Sequence, residues 1–562
     1  MKALRYQRWS LVVAVIILLG FIGSGAVASA ASTSKYLIFH LDAISTDMFV
    51  EQIAAGQIPN IERFFAEGHT VLGGLSLWPG GTEVIYPRLK QGQSNAEHPM
   101  LGWQYLDRNE DRWVWALETM LGMFLQFPRR ARMFTLYAHP PAMDVFASIA
   151  MQNVPRLLQQ YDVVEVLWFS SDHAGHVSGR DAQLASLYRF DRSFGHLLEH
   201  VDLDDVNVIL YSDHGMSFSD TYEADLDDAY VVPIKKIGPS VLGEELRKLY
   251  YPNVYLYDPD MAPATAATIV READIDWAFY WLDETRLLGL HKEGTAVIEQ
   301  RGSTFSYQVQ TGPDYFGYDT LGYDGDFLDP DQWLELTVDS RYPGAIPNIF
   351  RAALNENAGE VLLLINPPRI AQSLVTNVYN HKGVNRTDLL VPILLRGPDL
   401  EHLADVETMW LHELYTRHVP NIPFDHVPDR ERHQLDVRIP YDGRSIVGDG
   451  FAEFRFSPRY RWRMGAQWDA GRAASFVHFD VFSTYISRFW LGLGLQQIPE
   501  NNAWQPSAHI ELEWQYGQWG AGLHLERFQG EWELEPALRY FSQDYQWSVE
   551  LASGRVGLRR YW

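Results

Sequence analysis

The sequence predicts two domains of different class: an α/β domain with a mainly parallel sheet flanked by helices, and a C-terminal all-β antiparallel barrel. Three observations lead there. Short continuous apolar runs, ending at carboxylates or histidines, alternate with helix-patterned stretches over most of the chain. That is the pattern of parallel strands buried on both faces. From residue 451 the pattern changes to strict alternation of apolar and polar residues, the mark of strands with two unlike faces. At 562 residues the chain is also too long for one ordinary domain.

Composition narrows the function classes. Hydrophobic residues are 46% and charged residues 21%, as in folded globular chains. Lys+Arg is 46 against Asp+Glu 72, a net charge of -26, so no nucleic-acid duplex is an expected partner. Cysteine is absent, which excludes disulfides, thiolate metal sites and cysteine nucleophiles.

At the start, Lys2, Arg5 and Arg8 precede an apolar run over 11–22, and Ala28-Ser29-Ala30 follows as a small-x-small site. Residues 1–30 therefore read as a secretory signal peptide; the run is short for a span of about 20 residues. The mature chain is expected to be exported into a bacterial envelope.

The α/β domain is expected over 31–447. Its apolar runs are 36–41 (YLIFHL) ending at Asp42, 163–169 ending before Asp172, 206–211 ending before Asp213-His214, and two more at 361–365 and 391–395. Residues 181–200 carry Leu184, Leu187, Phe190, Phe194 and Leu197 at helix spacing. Residues 217–342 are less regular. Strand-like pieces at 276–282, 287–290 and 304–309 lie between turns, and read as an inserted α+β subdomain beside the sheet. Residues 420–450, rich in Pro, Asp and Arg, read as a linker.

The barrel is expected over 448–562 as eight antiparallel strands near 452–468, 474–484, 487–497, 506–516, 518–528, 531–541, 544–552 and 554–562. Lengths of about ten residues match tilted membrane-crossing strands. Nine of the 19 Trp fall here, as an aromatic girdle requires. Arg and Glu on the polar face can pair inside a narrow barrel. Pro506 and Pro536 fall within strands although proline lacks a ladder donor. The terminal Tyr561-Trp562 resembles outer-membrane barrels, which finish on an aromatic residue. An even strand count puts both barrel ends on one side, and barrels of this kind leave the C-terminus in the periplasm, so the α/β domain is expected there too. A barrel this narrow is filled by side chains and serves as an anchor.

The chemistry-bearing residues sit at the run ends. Asp42, Asp172 with His176, Asp213 with His214, and His381 all follow apolar runs or lie in a loop reached from one. Parallel strand ends converge on one edge. Carboxylates mixed with imidazoles suit divalent cations, zinc first and manganese second, and so many acids converge poorly without a cation.

The motifs LDAIS around Asp42, PGGTEV around Thr82, SSDHAGHVSG over 170–179, YSDHGM around Asp213-His214, and NHKG around His381 followed by VPILLRGPDL together resemble the alkaline phosphatase superfamily. Within it they resemble the nucleotide pyrophosphatase/phosphodiesterase-like branch. The similarity runs over roughly 35–447 and is weak in the insertion. It implies a phosphoester hydrolase with Thr82 as nucleophile and two divalent metal ions. Asp42, Asp213 and His214 would hold one ion, which also meets Thr82; Asp172, His176 and His381 would hold the other. A bound cation lowers the pKa of the threonine hydroxyl. Thr82 follows Pro79-Gly80-Gly81 and suits a helix N-terminus as well, where an anion is favoured. The resemblance favours diesters or pyrophosphates over monoesters, with a small phosphoester, nucleotide or lipid headgroup as substrate.

One position departs from the family. Its members place an asparagine, a phosphoryl-oxygen donor, about five residues past a His-Gly pair. Here the pair is His98-Pro99 and the position is Trp103, a candidate substrate-binding residue through stacking. Two other readings remain: a catalytically degenerate member that acts as an envelope binding protein, and a phosphoryl-group transferase on envelope lipids.

Overall fold

The computed structural model describes residues 34–561 apart from 117, 120–130, 135–143, 145–146, 149–150, 153, 219–230, 233–242, 274, 368, 372–379, 425–432 and the short loops between the C-terminal strands. The expected signal segment lies outside the described residues.

Strands are numbered along the chain. First come β1 (Lys35–Leu41), β2 (His69–Leu75), β3 (Ala131–Phe134), β4 (Val163–Trp168) and β5 (Val206–Tyr211). Then follow β6 (Leu246–Tyr250), β7 (Asn253–Leu256), β8 (Trp277–Asp283), β9 (Arg286–His291), β10 (Gly294–Arg301), β11 (Thr304–Thr311) and β12 (Val361–Leu364). The α/β part closes with β13 (Leu390–Arg396) and β14 (Thr408–Trp410). The main sheet has seven strands in the order β14-β2-β13-β5-β1-β4-β3. β1 is parallel to β4 and β5, β3 to β4, and β14 to β2.

Two expected strands behave differently. β13 runs antiparallel to both β2 and β5. It follows the His381 loop through one short helical turn, Arg386–Leu389, and therefore starts at the edge where β5 ends. β12 does not join the main sheet. It pairs antiparallel with β7 and β8 in a second sheet of order β11-β10-β9-β8-β12-β7-β6. This sheet thus draws a strand from beyond the expected 217–342 insertion.

Alternation in β1 explains how it can be buried on both faces. Tyr36 and Ile38 pack with Val71, Leu75 and Trp410, in a core that continues to Trp277 and Phe350. Leu37, Phe39 and Leu41 pack with Phe190 and Phe194. Each such buried side chain contributes roughly 1.5–3 kcal/mol. Three helices matter for the site: α1 (Thr82–Gln91), α2 (Ser170–Ser178) and α3 (Arg180–Leu198). The apolar positions expected for α3 do face the second core.

The C-terminal part is a closed barrel of ten strands, not eight. They are β15 (His433–Pro440), β16 (Gly448–Ser457), β17 (Tyr460–Asp469), β18 (Arg472–Ser483), β19 (Arg488–Gln497), β20 (Trp504–Tyr516), β21 (Trp519–Phe528), β22 (Glu531–Phe541), β23 (Trp547–Ala552) and β24 (Arg555–Tyr561). β15 pairs with β24 to close the ring. Two features hid the extra strands. The register slips between Arg455 and Ser457, so even residues face even residues, as in Phe454 opposite Trp462. Alternation therefore reads unbroken from β16 into β17, and one apparent long strand is two. The other, β15, lies within the expected linker and is a strand because β16 and β24 both pair with it. Pro506 and Pro536 do sit inside β20 and β22.

Among the described barrel residues, polar side chains are buried and large apolar ones exposed. Ser507, His509, Glu511, Arg539, Ser548 and Glu550 are buried, whereas Leu493, Trp519, Leu534, Leu538, Leu551 and Leu558 are exposed. Arg539 pairs inside with Glu550, and with Glu511 at 3.3 Å. No helix among the described residues is long and apolar enough to cross a membrane.

Candidate active site

Parallel pairing brings the site together. Asp42 follows β1, α2 with Asp172 and His176 follows β4, and Asp213-His214 follows β5. These three strands are direct neighbours running one way, so their C-terminal ends open at one edge. His381 reaches that edge in the loop before β13, and Thr82 opens α1.

The distances form one continuous cluster. Thr82 Oγ1 lies 3.3 Å from both Asp42 carboxylate oxygens and 3.5 Å from His214 Nε2. His214 Nε2 is 3.4 Å from Asp42 Oδ1 and 3.6 Å from Asp213 Oδ2. His176 Nε2 faces His381 Nε2 at 3.0 Å and Asp172 Oδ1 at 3.2 Å. His381 Nε2 is 3.5 Å from Asp172 Oδ1. All seven residues singled out as metal ligands or nucleophile thus meet.

The donor set suits divalent cations. His214 Nδ1 lies 2.9 Å from Gly215 O and His381 Nδ1 3.1 Å from Gly80 O. Each Nδ1–H donates to a carbonyl, which leaves the Nε2 lone pair aimed into the cluster. Asp172 Oδ1 and Asp213 Oδ2 are buried and accept no well-formed hydrogen bond, a costly state for a carboxylate without a cation. Ligand atoms of Asp172, His214 and His381 lie within 4.8 Å of one another, as do those of His40, Asp42 and Asp213.

Electrostatics agree. Burial pushes the Asp42 carboxyl well above the ordinary carboxylate pKa, and Asp213 and Asp172 push it further. Burial raises both the Asp213 and the largely buried Asp172 carboxyls, yet both are held below the ordinary value, Asp213 by His214 and His40, Asp172 by His176. Burial, with His214, Lys382 and His176 nearby, drives His381 well below the ordinary imidazole value. Neutral imidazole is the metal-binding form.

Ala43 turns the chain after Asp42 with φ 62°, a left-handed conformation that costs a non-glycine residue about 1 kcal/mol. Two bonds hold it: Ala43 N–H to Asp213 Oδ1 at 3.4 Å and Ile44 N–H to Ser212 Oγ at 2.8 Å.

Trp103 is half-buried. It follows Gly102, where an added Cβ would lie 3.5 Å from Tyr250 and 3.9 Å from Glu83 Oε1. No hydrogen bond or ring contact joins Trp103 to the seven clustered residues among the described residues. Upstream, Arg88 fixes this stretch by donating to His98 O at 2.9 Å and to Met100 O.

His40 escaped the sequence reading. It is fully buried, its Nε2 lies 3.1 Å from Asp213 Oδ1, and its ring is stacked between Tyr86 and Tyr211. The available signal was one polar residue inside YLIFHL, two positions before Asp42 and so on its face.

A solved structure, murine ectonucleotide pyrophosphatase/phosphodiesterase 5, aligns over 70% of this chain and 96% of that one, at 14% identity and TM-score 0.43. The 2,3-bisphosphoglycerate-independent phosphoglycerate mutase of Thermococcus kodakarensis is 31% identical over 88 residues, 15% of this chain and 21% of that protein. The chain therefore spans about a fifth of the length of that curated relative. Residues 38–268, which carry Asp42, Thr82, Asp172, His176, Asp213 and His214, match the family model of type I phosphodiesterase / nucleotide pyrophosphatase.

Proposed function

We propose that the protein is a metal-dependent hydrolase of phosphoester or phosphoanhydride bonds, with Thr82 as its nucleophile. The observation that carries this reading is Thr82 Oγ1 at 3.3 Å from Asp42, within a convergent set of carboxylates and imidazoles. Asp42, Asp213 and His214 would hold one divalent ion, and Asp172, His176 and His381 the other. When bound, the ions lower the pKa of the hydroxyl and neutralise the phosphoryl oxygens. The chain supplies the rest. Asp42 stands within reach of the Thr82 proton. The first amides of α1 face an incoming phosphate. Thr82 Oγ attacks phosphorus as the bond to the leaving oxygen breaks, giving a phosphothreonine that water hydrolyses. The family match favours nucleotide-type diesters or pyrophosphates.

The barrel gives the enzyme its address in this reading. An apolar exterior around a polar, ion-paired interior is the reverse of a water-soluble protein and suits a lipid surface. The strand count is ten, still even, so both ends lie on one side. With residues 1–30 as an export signal, the catalytic domain stands in the periplasm, anchored to the outer membrane.

Elemental analysis of the purified protein, beside hydrolysis of a chromogenic phosphodiester and its monoester, tests the chemistry. Two metals per chain, with turnover falling at least about 10³-fold in Thr82→Ala while metal is retained, is the expected result. Absence of both metal and turnover would overturn it and favour a binding protein, the reading supported by Trp103 standing where the family has its asparagine.

A further inference from the structure

Lys382 stands where the nucleophile loop is built, although it is not among the seven clustered residues. Its Nζ donates to Gly80 O at 2.8 Å, the carbonyl that also receives His381 Nδ1 at 3.1 Å. Gly80 lies two residues before Thr82. The same ammonium is 3.6 Å from Glu83 Oε1, one residue after Thr82. That carboxylate is only 2% exposed, and Oε1 has no hydrogen-bond partner. The Lys382 side chain is 21% exposed, so it is anchored at Gly80 and Glu83 and still reaches solvent.

An ammonium has three donors. Gly80 O takes one, and Glu83 lies beyond hydrogen-bond reach while its charge holds the cation in place. Lys382 Nζ therefore keeps at least one further donor, on a side chain anchored at Gly80 and Glu83, the residues two before and one after Thr82. We propose that Lys382 Nζ donates to a non-bridging oxygen of the phosphoryl group held at Thr82, in the role of the asparagine that Trp103 replaces. Glu83 acts as a positioning residue for that ammonium. This assignment rests on the phosphoryl-hydrolase reading above and extends it to specificity. A fixed cation gains more from a dianionic phosphate than from a monoanionic diester. Lys382 therefore shifts preference toward phosphomonoesters and terminal phosphates.

The test uses the full-length protein in detergent, with inorganic phosphate as the probe. Phosphate binding is measured by calorimetry, and monoester and diester kcat/KM are compared, for wild type, Lys382→Met and Lys382→Arg. A charged hydrogen bond corresponds to about 10- to 100-fold in affinity. Lys382→Met is expected to weaken phosphate binding by at least about tenfold and to lower monoester turnover more than diester turnover. Its metal content should equal that of wild type, and Lys382→Arg should recover part of the loss. Unchanged phosphate binding in Lys382→Met would overturn the assignment. Loss of a metal equivalent would overturn it too, because the residue would then merely hold Gly80 and His381 together. Lysine-dependent phosphate binding without turnover would instead defeat the hydrolase reading and leave the Lys382 contact standing.

Discussion

His214 and His381 stack face to face, ring centroids 3.8 Å apart and planes inclined by 15°. One ring comes from the loop after β5 and the other from the loop before β13. They meet because β13 runs antiparallel beside β5, so the end of one strand and the start of the other share an edge. The contact ties the Thr82–Asp42–His214 half of the site to the Asp172–His176–His381 half.

His40 shows how deeply the site is buttressed. It lies behind Asp213 and between two tyrosine rings. Cutting it to alanine in His40→Ala should destabilise the protein by about 2–4 kcal/mol through the cavity and weaken metal retention roughly 10- to 100-fold through Asp213. Dialysis against graded chelator, followed by elemental analysis, reads the second effect. Retention equal to wild type would show that His40 only fills space.

The backbone at Ala43 offers a gain. Its φ of 62° is one that glycine adopts freely. Ala43→Gly should raise stability by up to about 1 kcal/mol with kcat preserved. Thermal inactivation half-life and kcat, measured together, check this; a lower half-life would mean that the alanine methyl packing outweighs the strain.

Asp388 should make local stability depend on pH. It accepts from Ser217 Oγ at 2.5 Å and Gly383 N–H at 2.8 Å, yet burial pushes its pKa up to about 6. The unfolded value is about 3.9. A raised pKa means that the folded state favours the proton. The contribution is thus full below about pH 4 and is lost as pH rises through about 6, on the order of 3 kcal/mol. The Gly215 amide, which donates to Asp388 O at 2.8 Å, is a local reporter. Its hydrogen-exchange protection, corrected for intrinsic rate, should fall between pH 4 and 6 and flatten in Asp388→Asn. Equal slopes in both proteins would assign the pH dependence elsewhere.

The barrel exterior separates lipid from water as its surroundings. Leu551 points outward on β23 and is 53% exposed. If that face meets acyl chains, Leu551→Arg should cost roughly 2–4 kcal/mol of folding stability in bilayers near the midplane. A surface leucine in water changes stability by within about 0.5 kcal/mol. Urea titration of the barrel refolded into vesicles distinguishes the two.

What was legible in the sequence was local. Residues 36–41 and 206–211 declare buried strands by their own composition, and Asp42 and Asp213-His214 stand at their ends. Carboxylates and imidazoles carry their chemistry wherever they lie, so the residues that cluster around Thr82 could be named before any contact was seen. Alternation in the last part of the chain likewise sorted apolar from polar faces, because a strand's period is a property of the strand alone.

Tertiary structure decided everything that depends on a partner distant in the chain. His433–Pro440 is a strand because two others pair with it, and the register slip in β16 disguises the break between β16 and β17. β12 pairs outside the main sheet and β13 runs against its neighbours, since sheet membership and direction follow from hydrogen bonds between segments rather than from composition within one. For the same reason, His40 behind Asp213 and Lys382 over the Gly80–Glu83 loop appear only once the chain is folded. A side chain's role is set by what stands within a few ångströms of it, and residues brought together from hundreds of positions apart leave no local pattern to read.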